Sequence, residues 1–278
     1  MKLKTNKNQK INGAYMGPPS SFSNQAALQY FGEDLKLTAC ESIPEVFKFA
    51  SENETNFGVV PVENSNEGMV THTLDMFINS EVKIAAEIFL DIHLNLLSNS
   101  KLEEITTVYT IPIAFAQCKN WFVKNLPGVK RIDTYSTARA AEIVSEQKNT
   151  AAVAGVLASK MYNLKIVGKS IEDYEQNMTR FFVISKNHDN INSTINCKTS
   201  ILVSIKDKAG ALYELLKPFR DADINLTKIE SRPSKQKAWE YYFFVDFIGH
   251  ADEEKVKIAL DKLIGHCNFV KVLGSYPV

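Results

Sequence analysis

Apolar and polar residues alternate in short blocks over the larger, N-terminal part of the chain. Two β-rich runs, at residues 57–62 and 106–110, are each followed by a helical pattern, at 71–77 and 115–126 respectively. Strands that alternate with helices in this way are typical of layered α/β structure. The pattern therefore predicts an α/β region that ends near residue 186.

The pattern changes after a polar, asparagine-rich segment, NHDNINSTIN, at residues 187–196. In the helix beyond it, Leu212, Leu215, Leu216 and Phe219 recur at the spacing of one buried face. The strand-like and helical runs follow the order βαββαβ, which predicts an antiparallel sheet with both helices on one face. The uncovered face and edge of such a sheet predict self-association.

The chain has 278 residues, enough for about two domains of ordinary size. The patterns divide it into four parts, which are an N-terminal extension at 1–10, the α/β region at 11–186, a linker at 187–198 and an α+β domain at 199–278.

Composition narrows the class of protein. The 32 basic and 32 acidic side chains cancel, so no overall field attracts nucleic acid or an anionic membrane. Charged side chains interrupt the most apolar stretch, residues 82–97, which excludes a membrane-spanning helix there. Four widely spaced cysteines and the lack of a signal-peptide pattern predict free thiols and a cytoplasmic location.

The chain carries no convincing cofactor or metal motif. Gly168-Lys169-Ser170 is similar to the end of a phosphate-binding loop, but Asn163 stands where that loop needs glycine. The five histidines are scattered, and no short-range cysteine pair is present. We therefore expect neither a cofactor nor a metal.

Three polar segments interrupt apolar runs. GPPSSFS, at residues 17–23, leads into a helical pattern and either presents N–H groups to an anion or simply caps that helix. GVVPVENSNEG, at 58–68, places polar side chains just after a buried strand, where α/β sheets bind ligands, or where a turn needs capping groups. NMTRF, at 177–181, sets a hydroxyl beside a guanidinium, a pair suited to holding a carboxylate.

Together these segments resemble the prephenate dehydratase family. The resemblance extends from about residue 11 to 278 and includes TLDMF at 73–77, STARAAEIV at 136–144 and KIESRP at 228–233. It implies a cofactor-free lyase that removes carbon dioxide and water from prephenate and forms phenylpyruvate for phenylalanine biosynthesis. An arogenate dehydratase, which acts on the amino-acid analogue, and a non-catalytic amino-acid sensor remain as alternatives.

The resemblance also implies roles for individual residues. Thr179 would donate toward the leaving hydroxyl, and Arg180 would hold a substrate carboxylate. Neutral donors would come from Asn64, Ser65 and Gln117. The other substrate contacts that the family implies are Glu63, Ser21, Ser23, Thr110 and Phe181.

The family further implies a catalytic region of two α/β lobes similar to type II periplasmic-binding proteins. Lobe one covers about 11–88 and 168–186, and lobe two covers about 89–167. The chain would cross between them near 87–90 and 165–168, with the active site in the cleft.

The C-terminal domain resembles an ACT domain, which in this family binds phenylalanine at a dimer interface. The resemblance implies feedback regulation by phenylalanine in a homodimer or homotetramer. A glycine at a helix start lets such a ligand approach backbone N–H groups. The residues implied in phenylalanine binding are Gly210, Ala211, Leu212, Glu230, Ser231, Arg232 and Pro233.

Two positions depart from the family pattern. Ser20 and Ser21 stand where members commonly have Gly and Thr, so a position that favours a positive φ lacks its glycine. Ile111 and Ile113 replace the His and Gln of a familiar Ser-His-Pro-Gln segment. Either those polar side chains are dispensable or the site is adapted to a different ligand.

Overall fold

The structure is a computed structural model, and it describes residues 11–186, 196–205, 208–234 and 240–278. The predicted N-terminal extension at 1–10 and most of the predicted linker at 187–198 lie outside these residues.

The α/β region alternates strands and helices as predicted, with one 3₁₀ turn at Leu102–Glu104. In chain order its elements are β1 (Asn12–Met16), α1 (Phe22–Phe31), β2 (Leu37–Cys40), α2 (Ile43–Glu52), β3 (Asn56–Asn64), β4 (Gly68–Met69), α3 (Thr71–Asn79), β5 (Lys83–Asp91), β6 (Asn95–Ser98), β7 (Thr107–Thr110), α4 (Pro112–Gln117), α5 (Lys119–Asn125), β8 (Lys130–Asp133), α6 (Thr137–Ser145), β9 (Thr150–Ala154), α7 (Val156–Met161), β10 (Lys165–Gly168) and β11 (Met178–Ser185).

These strands form two sheets, which confirms two α/β lobes. The first has the order β2-β1-β3-β11-β5, with β4 paired to β3, and the second has the order β10-β6-β9-β7-β8. The chain passes between the sheets at residues 92–94 and 169–177. Both crossings come later than predicted, because β5 continues to Asp91 and residues 165–168 belong to β10.

The C-terminal elements confirm the predicted order βαββαβ. They are β12 (Cys197–Ile205), α8 (Ala211–Asp221), β13 (Leu226–Pro233), β14 (Tyr241–Ile248), α9 (Glu254–Ile264) and β15 (Cys267–Pro277), in an antiparallel sheet with the order β13-β14-β12-β15. Leu215 and Phe219 are buried in the core of this domain, as the helical pattern predicts. Leu212 is 42% exposed, so the prediction that it shares the buried face is wrong. It lies in the first turn of α8 and does not join the core that its later turns form.

The chain divides into two compact units that do not follow the lobe boundaries. One unit comprises the chain up to Val46 together with Val59–Val70 and Ile88–Phe181. The other comprises Phe47–Gly58, Thr71–Glu87 and Phe182–Val278. The second unit therefore joins part of the α/β region to the whole C-terminal domain.

Aromatic rings form a row through the second unit. The ring centroids of Phe47 and Phe77 are 5.0 Å apart, those of Phe77 and Phe182 are 6.1 Å apart, and those of Phe182 and Tyr276 are 5.9 Å apart. Edge-on and tilted pairs at these separations stabilise a core beyond the burial of their area. The row begins on α2 and ends on β15, in the C-terminal domain.

Polar contacts join the same parts of the second unit. Lys198 Nζ lies 2.7 Å from Glu87 Oε1, and both side chains are buried. Lys83 Nζ donates to the carbonyl oxygen of Val272 at 2.7 Å. Lys271 donates to two carbonyl groups of α3 and its C-terminal loop, and burial lowers the pKa of its ammonium.

Gly274→Ala is expected to lower Tm. A Cβ at this position would lie 2.3 Å from the carbonyl oxygen of Ile84, and φ is +155°. Because backbone would have to move, we expect a loss of about 1–3 kcal/mol in the free energy of unfolding, measured by urea denaturation. Gly265→Ala is the matched control, since its Cβ would meet no atom closer than 3.8 Å. Equal unfolding midpoints for the two variants would contradict the close approach.

Candidate active site

The ends of β3 and β11 are pinned together by Ser65. Its backbone N–H donates to the carbonyl oxygen of Met178 at 2.8 Å, and its hydroxyl accepts from the Met178 N–H at 3.0 Å. This contact places the segment after β3 beside the first residues of β11. The predicted neutral donor Ser65 is therefore held by the backbone of the neighbouring strand.

Asn64 and Thr179 meet at this junction. Asn64 Nδ2 donates to Thr179 Oγ1 at 2.9 Å. Both side chains are partly buried, and within residues 11–186 the structure gives the Thr179 hydroxyl proton no acceptor. Thr179 can therefore accept from Asn64 and donate its own proton outward.

Gln117 reaches the same junction from the end of α4, the helix that follows β7 of the second sheet. Its Nε2 donates to Glu67 Oε1 at 2.9 Å, and its Oε1 accepts from Asn177 Nδ2 at 3.3 Å. Asn177 Oδ1 in turn accepts from Asn64 Nδ2 at 2.8 Å. We call the series Glu67, Gln117, Asn177, Asn64 and Thr179 the amide chain.

An open cleft of about 470 Å³ adjoins the amide chain. This volume is within the usual range of small-molecule sites. Its wall combines polar side chains with apolar surface, and the exposed ring of Tyr174 is part of it. The lining residues are Ser65, Asn66, Glu67, Ala116, Gln117 and Tyr174.

Arg180 and Glu63 lie on strand faces that point away from the amide chain. Successive side chains of a strand point to opposite faces, so Arg180 lies on the face of β11 opposite Thr179, and Glu63 lies on the face of β3 opposite Asn64. Arg180 is only 6% exposed. Phe181 shares the Thr179 side of the strand but is buried.

Three further predicted substrate contacts have structural roles. Ser21 caps α1, since its Oγ accepts from the N–H of Asn24 at 3.2 Å. Thr110 is fully buried and donates to the carbonyl oxygen of Val153 at 2.8 Å. Ser23 is buried in the first turn of α1. The structure shows no contact between these hydroxyls and the amide chain.

The departures from the family pattern have visible consequences. Ser20 has a φ of +67°, so a side chain does occupy the left-handed position that the sequence comparison indicated. Ile111 precedes Pro112, which begins α4, and provides no side-chain cap. Ile113 is 45% exposed.

Cys118 follows Gln117 and is fully buried. Burial raises the pKa of its thiol to about 12, and the negative charges of Glu172 and Asp173 add to this. The thiol is protonated at neutral pH, so Cys118 is not a nucleophile for this site.

In the C-terminal domain, Gly210 has a φ of +80° at the start of α8, with open space where a Cβ would lie. Arg232 contacts the α/β region, because its Nη2 donates to both carboxylate oxygens of Asp75 on α3 at 3.2 Å. Ser231 and Pro233 are exposed on β13. Of the other implied positions, Ala211 and Glu230 are partly buried and Leu212 is exposed.

Two members of the amide chain were missing from the predicted site. Asn177 begins the NMTRF segment, and Glu67 is the last acidic residue of VENSNEG. Both lie inside the polar segments that carry the family resemblance, but the reaction that the resemblance implies assigns them no role. No group of three metal-ligating side chains occurs among the described residues, and none of the described helices is long and apolar enough to span a membrane.

A two-lobed α/β region with an open cleft, followed by a βαββαβ domain, is an arrangement typical of a small-molecule enzyme with an appended domain. A model of the family described as prephenate dehydratase matches residues 13–189, and an ACT-domain model matches residues 199–265. The chain belongs to the prephenate dehydratase family and is a lyase of that family.

Similar proteins cover nearly the whole chain. A bifunctional chorismate mutase/prephenate dehydratase of Aquifex aeolicus is 49% identical over 97% of this chain and 74% of its own length. A prephenate dehydratase of Methanocaldococcus jannaschii is 41% identical over 95% of this chain and 97% of its own length.

Solved structures agree on the fold. The Arthrobacter aurescens prephenate dehydratase in complex with L-Phe has a TM-score of 0.89 and 30% identity, over 96% of this chain and 90% of that one. GqqA, described as a quorum-quenching acylase, has a TM-score of 0.86 and 26% identity, over 96% and 97% respectively.

Proposed function

We propose that the chain converts prephenate to phenylpyruvate, carbon dioxide and water. The observation that carries the proposal is the bond from Asn64 to Thr179 Oγ1, at the end of the amide chain that adjoins the cleft, because it leaves the Thr179 proton available for donation. In this reaction the bond to the ring carboxylate and the bond to the ring hydroxyl both break. Aromatisation of the ring drives the reaction, so the enzyme has to orient the substrate and assist departure of hydroxide.

Thr179 would donate to the departing oxygen, and Asn64 would stabilise the charge that develops on Oγ1. A threonine hydroxyl is a weak acid, so its donation depends on this second hydrogen bond. Ser65 and Gln117 line the cleft and would supply polar contacts to the carboxylates. Arg180 is buried on the strand face opposite Thr179. We therefore propose that it stabilises the position of β11 and does not hold a substrate carboxylate directly.

Turnover of purified full-length protein on prephenate, followed by the ultraviolet absorbance of phenylpyruvate, tests the proposal. Arogenate is assayed in parallel, because an arogenate dehydratase would prefer the amino-acid substrate. Turnover of neither substrate would favour a non-catalytic amino-acid sensor. We expect prephenate to be the better substrate.

We also propose feedback regulation by phenylalanine bound at the C-terminal domain. The open start of α8 at Gly210 offers a place for a ligand, and the ion pair between Arg232 and Asp75 connects β13 with α3. A ligand near β13 that disturbs this pair would act on α3. In the chain, α3 comes soon after residues 65–67, which line the cleft.

Asp75→Asn is expected to raise the phenylalanine concentration for half-inhibition by about tenfold, because allosteric coupling commonly amounts to 5- to 150-fold. Basal kcat should change little, since Asp75 is not part of the cleft lining. Inhibition curves at fixed prephenate measure the effect. Glu142→Gln, which removes an exposed pair with Arg139, is the control. Unchanged inhibition in Asp75→Asn would remove the pair from the regulatory path.

Self-association through the C-terminal sheet completes the proposal. β13 lies at one end of the strand order, and Ile229 on it is 43% exposed. An edge strand of this kind is a natural site for pairing with a second copy. Light scattering would distinguish a dimer or tetramer from a monomer. Four free cysteines fit the reducing environment of the cytoplasm, which we propose as the location.

A further inference from the structure

Asn177 is a buried amide that the proposed reaction does not use. It is 4% exposed. Its Oδ1 accepts a hydrogen bond from Asn64, and its Nδ2 donates one to Gln117. Its own carbonyl oxygen accepts the N–H of Ile92 at 2.7 Å, which fixes the backbone beneath it. Such a residue can transmit orientation from one amide to the next.

At one end of the amide chain, Glu67 determines which group donates and which accepts in each hydrogen bond. An ionised carboxylate only accepts, so Gln117 must present its Nε2 to Glu67 and its Oε1 to Asn177. Asn177 must then donate through Nδ2, which leaves its Oδ1 for Asn64.

At the other end of the amide chain, the contacts of Asn64 independently give the same donor and acceptor roles. Backbone N–H groups only donate, and those of Asn66 and Glu67 donate to Asn64 Oδ1 at 3.0 and 3.1 Å. Asn64 therefore presents Nδ2 to Asn177 and Thr179. Because Thr179 Oγ1 accepts this bond, its proton is directed away from Asn64.

We propose that Asn177 is a positioning residue that holds the Asn64 amide in place against the Thr179 hydroxyl and couples it to Gln117. The inference rests on the proposed function, because it gives the Thr179 proton a part in the reaction. Without Asn177, Asn64 would lose one of its two side-chain acceptors, and Gln117 Oε1 would lose its side-chain donor.

Two variants test the proposal. Asn177→Ala removes both bonds and should lower kcat on the order of 10- to 100-fold with a smaller change in KM. Asn177→Asp should be impaired at high pH, since an ionised carboxylate cannot donate to Gln117. Once protonated, the acid has an O–H that can donate to Gln117 and a carbonyl oxygen that can accept from Asn64, which are the two roles that the asparagine amide fills. Its kcat relative to the unaltered protein should therefore rise as pH falls, whereas the ratio for Asn177→Ala should stay flat.

Asn95 offers a matched control. It is also 4% exposed, but its amide donates to the carbonyl oxygen of His93 and accepts from the N–H of Ser170, both backbone groups. Asn95→Asp should change Tm without the pH-dependent recovery of kcat. A purely structural role for Asn177 would make the two aspartate variants alike in kinetics.

Side-chain amide signals in ¹⁵N–¹H spectra provide a readout without turnover. The Asn64 and Gln117 signals should shift in Asn177→Ala and stay in place in Asn95→Asp. If they stay in place in Asn177→Ala, or if that variant keeps its kcat, the inference is overturned. If the signals shift but the unaltered protein does not act on prephenate, the hydrogen-bond relay stands and the proposed reaction falls.

Discussion

Thr179→Ala is expected to lower kcat on prephenate by about 100- to 1,000-fold, the usual effect of removing one well-aimed donor. The loss should fall on kcat rather than KM, because the hydroxyl acts most strongly as the leaving oxygen gains charge. Thr179→Ser should retain much of the activity, since it keeps a hydroxyl that can accept from Asn64 Nδ2. Initial rates of phenylpyruvate formation over a range of prephenate concentrations separate the two constants.

Thr106→Ala is the matched control for this experiment. Thr106 is exposed, and its hydroxyl donates to the carbonyl oxygen of Asn149 at 3.3 Å, outside the cleft lining. We expect wild-type kinetics. A Thr179→Ala enzyme that turns over prephenate as fast as this control would remove Thr179 from the mechanism.

Lys198→Met is expected to destabilise the protein by about 3–5 kcal/mol, because it leaves the buried Glu87 carboxylate without its ammonium partner. The exposed fractions of the two side chains are only 11% and 4%, so water cannot easily replace the lost contact. Urea denaturation measures the free energy of unfolding.

The double variant with Glu87→Gln separates the lost pair from other effects. With both charges gone, the destabilisation should be smaller than for Lys198→Met alone. Lys217→Met, in an exposed helical pair with Asp221, should leave the midpoint nearly unchanged. A double variant as unstable as the sum of the single variants would show that the pair has no coupling.

The periodicity of apolar residues predicts a helix correctly where the pattern of buried side chains and the backbone hydrogen bonding have the same limits. The apolar pattern at 115–126 predicts one helix, yet the chain forms α4 and α5, with Cys118 between them at a φ of −113°. Phe115 and Phe122 pack in the same core on either side of this break. The pattern therefore recorded which side chains are buried and not where the hydrogen bonding of the helix is interrupted.

The candidate site was predictable only in part, for a similar reason. Thr179 and Arg180 are neighbours in sequence, but a strand separates them onto opposite faces. Asn177 bonds to Asn64 and Gln117, which are 113 and 60 residues away in the chain. A single sequence does not record such partners, because they are brought together by two sheets and the crossings between them.

The aromatic row from Phe47 to Tyr276 bears on what happens if the C-terminal domain is removed. A shortened chain that stops before Cys197 would lose Tyr276 and the packing of that ring against Phe182. Such a truncation would remove part of the core that the α/β region shares with the C-terminal domain, and it would not release an independently folded enzyme. Activity lost in that fragment would therefore report damage to this core, and it would not show that the C-terminal domain takes part in the chemistry.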